Sequence, residues 1–562
     1  MNTEILGIIA MFTVTVVLAI PLGRYIAKVF GNEKTILDPI FNPVERIFYK
    51  ISGLNPQTEM NWKQQMVALV TINMIWFLLG ILILMTQGNL PLNPDQNPSM
   101  SADLAFNTVI SFVVNCNLQH YSGETGLSYL GQYWLMFLQF VSAGTGMAAA
   151  AVLFRAFRDK STQKLGNFYN FFVKSCTRIL LPIAFVVAVI LAFEGTPMTF
   201  EGKDTVTNLQ GEQVEVSRGP AAAFVAIKHV GTNGGGFFGV NSNHPFENPS
   251  YLSNMVEMFA QTIIPIAMIF AFGYFIRRKK LSWMIFGVMT VGFLLLVIPN
   301  INMEMNGNPA ISAMGIDNSL GAMEGKDIRI GAPAAGFWSI VTTVISTGSI
   351  NSMHDSTMPL SGMNELLAMM INAFYGGVGV GMLNFFIFII LAVFISGLMV
   401  GRTPEFLGKK VEAREMKIAM MIALLHPFLI LVGTALAAAL PQYTAETLNN
   451  PGFHGLSEML YEYTSSSANN GSGFEGLGDN TIWWNISTGF VLILSRFLPI
   501  IGPVAIAGLL AQKKYISEGD GTLKTDTATF GLMIFVIIAI VAALSFFPVL
   551  ALGPIAEFFT LY

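Results

Sequence analysis

Four short segments of the chain repeat one chemical pattern, an apolar stretch that runs into a turn of small and amide-bearing residues. They are Ser111-Phe112-Val113-Val114-Asn115-Cys116-Asn117, His229-Val230-Gly231-Thr232-Asn233-Gly234-Gly235, Val344-Ile345-Ser346-Thr347-Gly348-Ser349 and Ser467-Ala468-Asn469-Asn470-Gly471-Ser472. Stacking them gives three columns: Val114, Thr232, Ser346, Asn469; then Asn115, Asn233, Thr347, Asn470; then Cys116, Gly234, Gly348, Gly471. The last column recurs at intervals of 118, 114 and 123 residues, which predicts one structural unit used four times. Glycine accepts a positive φ, so successive carbonyls can be turned toward one axis. Four such turns make a ring of oxygens able to replace the hydration shell of a cation. Short helices that end at that axis direct their negative ends at the ion. No Asp or Glu stands in the columns, so the ring favours a large monovalent cation over a divalent one. The candidate ion-binding residues are therefore those at 114–117, 232–235, 346–349 and 469–471.

Charged and polar residues follow each turn. Gln119, His120, Glu124, Glu247, His354, Asp355 and Glu475 are expected to ring the outer mouth, where acidic groups concentrate cations. Lys228, just before the second turn, is expected to pair with an acidic neighbour there. Arg496 falls halfway along an apolar stretch, where a charge faces a cavity or a partner. It reads either as a fixed positive charge beneath the turns or as a cap on the carbonyls of a broken helix. The run Gly376-Gly377-Val378-Gly379-Val380-Gly381 interrupts another apolar stretch, for close packing or as a break in the helix. The six histidines show no metal-ligand spacing.

The elements that must position these turns lie in a membrane. Of 562 residues, 53% are hydrophobic and 11% charged, whereas soluble chains carry about 25% charged residues. A net charge of -4 excludes a nucleic-acid partner, and two cysteines exclude a disulfide scaffold. An all-α polytopic protein with ten transmembrane helices is expected, near 4–29, 65–87, 129–157, 168–194, 250–276, 281–300, 364–400, 415–440, 481–512 and 528–559. The leader Met1-Asn2-Thr3-Glu4 lacks a basic region, so the first helix is expected to be retained. Loops carrying 24 of the 30 lysines and arginines, Arg402 among them, alternate with poorer ones. The basic loops are expected on the cytoplasmic side, with both termini outside. Each unit then reads as helix, re-entrant half-helix, polar turn, helix, since non-helical backbone at membrane depth survives only inside protein or against a water-filled cavity. The expected organisation is a first helix with a surface segment at 1–64, pore units at 65–157, 168–276, 281–402 and 412–514, and a last helix at 528–562. Within 30–64, Phe41, Val44, Ile47, Phe48 and Ile51 share one helical face and are expected to lie along the bilayer surface.

Several longer motifs carry a family resemblance. Gly231-Thr232-Asn233-Gly234-Gly235-Gly236-Phe237-Phe238-Gly239, continuing to His244-Pro245-Phe246-Glu247-Asn248-Pro249, resembles the potassium-binding component of Kdp-type potassium-transporting ATPases. So do Met353-His354-Asp355-Ser356, Gly401-Arg402-Thr403-Pro404-Glu405-Phe406-Leu407-Gly408-Lys409-Lys410 and the fourth turn. The resemblance spans essentially the whole chain. Cys116 and Leu118 depart from it, standing where a more polar residue and an aromatic one are expected. It implies the potassium-transporter superfamily fold, four pseudo-symmetric units around a central pore with one extra helix at each end. It also implies a bacterial plasma-membrane location, potassium as the ion, and a Kdp complex with three partners: the P-type ATPase (B) component, the C component and the small single-span F component. On this resemblance the break at Gly377 and Gly379 gates the inner route.

The chain has no Walker A loop and no DKTG-type phosphorylation motif, so no nucleotide site is expected on it. A membrane potential of about 100 mV supplies roughly 2.3 kcal/mol per charge, roughly fifty-fold accumulation at about 1.4 kcal/mol per tenfold. Uptake from micromolar levels needs a partner that spends ATP. Two alternatives stand beside this reading: a stand-alone potassium channel or potassium/sodium symporter of the same superfamily, and an intramembrane enzyme using His354 and Asp355. The 401–410 loop and the tenth helix weigh against the first, and the four-fold repeat against the second.

Overall fold

The computed structural model describes residues 3–401, 403–517 and 524–561. Met1, Asn2 and Arg402, named above, lie outside the described residues. The first half of the chain forms α1 (Thr3–Phe30), α2 (Asp38–Ser52), α3 (Trp62–Thr86), α4 (Ala102–Val113), α5 (Tyr129–Arg158), α6 (Phe168–Glu194), α7 (Ala221–Val230) and α8 (Tyr251–Phe275). The second half forms α9 (Lys279–Asn306), α10 (Ala332–Ile345), α11 (Pro359–Ile371), α12 (Val380–Val400), α13 (Ala413–Ala439), α14 (Phe453–Ala468), α15 (Ile482–Ala511) and α16 (Ala528–Leu550). Ten helices among the described residues are long and apolar enough to cross a membrane. Between them stand four half-helices, α4, α7, α10 and α14, each preceded by a long helix and followed by a polar turn and another helix. α1 and α16 flank the four repeats.

Burial sorts these helices by role. α5 and α8 are almost wholly enclosed, whereas α1 and α16 present most of their apolar surface outward. The enclosed α5 carries Gly144, Gly146 and Ala148 to Ala151, small residues that let neighbouring backbones come close where hydrocarbon gives no hydrophobic drive to associate. Among the described residues, sheet is confined to two short hairpins, β1 (Asp204–Thr207) with β2 (Gln213–Val216), and β3 (Glu405–Phe406) with β4 (Lys409–Lys410). The second lies in the basic 401–410 loop. It buries Lys409, whose ammonium donates to the carbonyls of Lys160 and Ala511, beside the C-terminal ends of α5 and α15. A cation there meets the negative ends of two helices.

The stretch expected as a helix over 364–400 is two helices with non-helical chain at 372–379 between them. Asn372, Tyr375, Gly376 and Gly379 there all take a positive φ, which an α-helix cannot contain.

α2 has the character expected of a surface helix, with Val44, Ile47, Phe48 and Ile51 exposed. Its opposite face is tied down. A π turn at Cys176–Leu180 within α6 carries the buried Arg178. Its guanidinium meets both oxygens of Glu45 (2.6 and 2.7 Å), Asp38 (2.5 Å) and Asn42 (2.7 Å). Removing one partner of such a buried pair leaves an uncompensated charge. Arg178→Ala is expected to destabilise the folded chain by about 3–5 kcal/mol, read as a lowered unfolding temperature. An unchanged temperature would show that α2 is held by its contact with lipid instead.

Candidate functional site

Each half-helix ends the same way. Its last carbonyls are closed by an N–H five residues on: Cys116 to Ser111 (3.0 Å), Asn233 to Lys228 (2.7 Å), Thr347 to Thr342 (2.9 Å) and Asn470 to Ser465 (2.9 Å). The residue before each of these donors is left-handed: Asn115 (φ 63°), Thr232 (49°), Ser346 (58°) and Asn469 (51°). A β-branched residue in that region is a genuine outlier, and Thr232 is held there by its hydroxyl, which accepts from Val378 N (3.0 Å).

This geometry corrects the stacking in the first unit by one residue. Asn115, not Val114, is the counterpart of Thr232, Ser346 and Asn469, and Asn117 stands with Gly234, Gly348 and Gly471. Val114 is still at the helix end (φ -88°, ψ 6°), buried in an apolar cluster with Ile110, Leu118 and Leu492. The shift arises because Asn tolerates the left-handed region, so Asn117 (φ 62°) occupies a position that glycine holds elsewhere.

The four turns meet. A Cβ on Gly234 would lie 2.6 Å from Cys116 O and 2.9 Å from Asn470 O. One on Gly348 would strike Asn470 O, and one on Gly471 would strike Cys116 O. Backbone this close excludes any side chain at the three glycines. Hydrogen bonds link the turns around the circle. Gly234 N donates to Cys116 O (3.0 Å) and Asn115 Nδ2 to Thr232 O (2.8 Å), joining the first and second. His229 Nε2 meets Ser349 Oγ (2.9 Å), joining second and third. Ser346 Oγ donates to Ala468 O (2.9 Å) and Asn470 Nδ2 to Thr342 O (2.8 Å), joining third and fourth. At the fourth-to-first junction Asn107 Nδ2 donates to Asn485 O (2.9 Å). Both side-chain amide atoms of Asn117 and the Thr347 hydroxyl are buried without a protein partner among the described residues. Buried polar groups are normally satisfied, if not by protein then by water or an ion.

Beneath the turns lies the break at 372–379. Asn372 Nδ2 donates to Ala468 O (3.3 Å), and Asn372 Oδ1 accepts from Ser346 Oγ (3.4 Å). Gly377 lies under the second turn, with room for a Cβ 3.4 Å from Thr232 Oγ1, whereas one on the left-handed Gly379 would strike the backbone of Gly146. A cavity opens here, lined by Asn115, Ser346 and Asn469 from the turns, Gly377 from the break, His426 from α13, Val541 from α16, and Arg496. Arg496 is buried, donates to Ser142 O (3.3 Å), and joins no ion pair among the described residues. It therefore stands as a net positive charge at the end of the turns that faces the break.

The outer residues do not form the open charged ring expected of them. Glu247 is fully buried; it pairs with the Lys228 ammonium and accepts from Phe238 N (2.9 Å). Gln119 makes two bonds to Gly236, at 2.7 and 3.0 Å, joining the first and second units. Asp355 faces His454 at 2.9 Å. The physical reason is shared: a charge or amide beside a nearly dry turn is costly unless paired, so these groups brace the turns from behind. Ser142, Asn372 and His426 escaped the sequence reading, although a polar residue inside an apolar span is itself a functional signal.

The architecture resembles that of a solved potassium transporter, TrkH from Vibrio parahaemolyticus, with a TM-score of 0.52 over 77% of this chain and 83% of that one at 14% identity. Fold and repeat together define a multi-pass, all-helical membrane protein built on four helix, half-helix, turn and helix units. Residues 9–559 match the family model described as the potassium-transporting ATPase A subunit. Full-length relatives named potassium-transporting ATPase potassium-binding subunit include those of Flavobacterium psychrophilum (70% identical, covering 100% of both chains), Phocaeicola vulgatus (62%, 100% of both) and Geobacillus kaustophilus (46%, 98% of both). The chain belongs to the family of potassium-transporting ATPase A subunits.

One junction of the ring is expected to respond to pH. The buried His120, three residues past the first turn, meets Asn485 Oδ1 (2.7 Å) and Glu462 Oε1 (3.1 Å) of the fourth unit. Burial opposes its charge, but the Asp479 carboxylate and the hydrogen bond that His120 donates to Glu462 outweigh it and push its pKa up to about 9. A raised histidine pKa stabilises the fold fully below its unfolded value of about 6.5 and ceases to do so as pH rises through the folded value. Between about pH 6.5 and 9 the wild-type chain is expected to lose on the order of 3 kcal/mol. His120→Gln is expected to flatten that part of the pH profile of thermal unfolding; a profile parallel to wild type would refute the charged junction.

Proposed function

We propose that this chain is the potassium-selective, channel-like part of an ATP-driven uptake complex. It binds extracellular potassium where the four turns meet and passes the ion to a P-type ATPase partner. The observation that carries the reading is the convergence of four neutral turns, each at the end of a half-helix, with backbone contacts that only glycine permits. Carbonyl oxygens and helix C-termini suit a cation that has shed its water, and the absence of an axial carboxylate suits a monovalent one. The relatives are named as subunits of an ATPase; a B component that hydrolyses ATP, a C component and a small single-span F component complete the complex. The chain lies in a bacterial plasma membrane, with its basic loops cytoplasmic and both termini outside.

In this reading the cavity under the turns receives the ion, and Arg496 sets its exit. A positive charge on the inner side repels a cation from running straight through, while the cavity continues sideways toward α13 and α16. The broken segment at 372–379 forms part of its wall and controls the inner route.

Two variants test this. Gly234→Asp places a carboxylate against Cys116 O and Asn470 O. The potassium concentration for half-maximal ATPase activity of the complex is expected to rise at least about tenfold, about 1.4 kcal/mol of lost binding, or discrimination against other monovalents to collapse; normal values of both would sink the pore-site assignment. Gly379→Ala is expected to slow potassium uptake into vesicles while rubidium binding persists. Wild-type uptake by that variant would remove the break from the transport route.

A further inference from the structure

We propose that the outer face carries a divalent-cation site formed by Asp355, His454 and Glu458, with Glu557 as the outer-sphere partner of the imidazole. Asp355 follows the third turn, His454 opens α14, and Glu458 lies one helical turn further on the same face. One ligand atom from each of the three lies within 4.8 Å of the others. His454 is oriented from both sides: Nε2 faces Asp355 Oδ1 and Nδ1 faces Glu557 Oε1, each at 2.9 Å. A metal-binding histidine is held this way, with one nitrogen toward the ion and the other on a carboxylate that fixes the ring. The Glu458 carboxylate is steadied by Asn449 N (3.1 Å) on Oε2 and by Asn450 N and Nδ2 (both 3.0 Å) on Oε1, which leaves Oε2 a lone pair for a metal.

Charge and access support the same assignment. Three carboxylates, those of Asp355, Glu458 and Glu557, gather around one imidazole. Glu475 Oε2 accepts from Asp355 N (3.2 Å), while its Oε1 is buried without a hydrogen-bond partner among the described residues. Two of the three ligands, Asp355 and His454, line a separate cavity together with Glu557, which leaves space for waters to complete a coordination shell. One imidazole nitrogen and two carboxylate oxygens suit zinc or a similar transition cation rather than potassium. The site is independent of the potassium reading, and a bound ion would tie the third unit, the fourth half-helix and the last helix into one body.

The test is equilibrium dialysis of zinc chloride against the full chain purified in its complex, with X-ray absorption at the zinc edge. One zinc per chain is expected, with a single nitrogen ligand, oxygen neighbours and no sulfur. His454→Gln and the isosteric Asp355→Asn are each expected to abolish that binding, and Glu557→Gln to weaken it ten- to a hundredfold. His120→Gln, in the separate His120–Glu462–Asp479 cluster, is expected to leave it intact. Wild type without zinc, a spectrum with sulfur or several nitrogens, or undiminished binding in both ligand variants would overturn the site. Unchanged affinity in Glu557→Gln would overturn the outer-sphere role.

Discussion

Backbone that leaves a helix at membrane depth has no water to satisfy its N–H and C=O groups, and everything near the four turns follows from that constraint. An unpaired buried group costs about 1–3 kcal/mol, so a single turn of this kind would be a liability. Four of them supply one another: Gly234 N reaches Cys116 O, Asn115 reaches Thr232 O, Ser346 reaches Ala468 O, and Asn470 reaches Thr342 O. The closed circle makes the quarters interdependent. It also explains why the half-helices end in left-handed residues. That conformation folds the chain back toward the preceding turn while leaving the following carbonyls free of the helix.

The same economy governs the charges. Five of the six histidines sit at junctions between quarters: His229 with Ser349, His354 with Tyr461 (2.7 Å), His120 with Asn485 and Glu462, His426 with Met369 O (3.0 Å), and His454 with Asp355. Lys228 is consumed by Glu247 within the second unit. Fixed charges therefore brace the turns, and in the proposed reading the attraction for a cation falls to neutral oxygens and helix ends. That division suits a monovalent ion. A carboxylate at the axis would hold a divalent ion strongly and pass it on slowly.

The ten spans and the four-fold repeat were legible in the sequence because both leave large compositional marks: about twenty apolar residues per crossing and small residues at each turn. The register of the first turn was not. Alignment by residue type set Cys116 against the glycines, whereas the backbone sets Asn117 there, since asparagine reaches positive φ without advertising it as glycine does. The length of the break in the third unit was hidden for a similar reason. Its glycines were visible, but it opens at Asn372 and passes through Tyr375, both left-handed. That Lys228 pairs with an acidic neighbour was legible, but that the partner is Glu247, nineteen residues on, and that the pair is fully buried was not, since periodicity does not place the two together in space.

A ring assembled from one polypeptide need not be equal on all sides. In an oligomer of identical chains every quadrant would share the same floor, so any side exit would be repeated at each of them. Here, among the described residues, only the third quarter is undercut by a break of this kind, and the hollow beneath the ring extends toward one flank of the protein. Gene-encoded asymmetry thus gives the molecule a compass bearing, a property that symmetric assembly forbids.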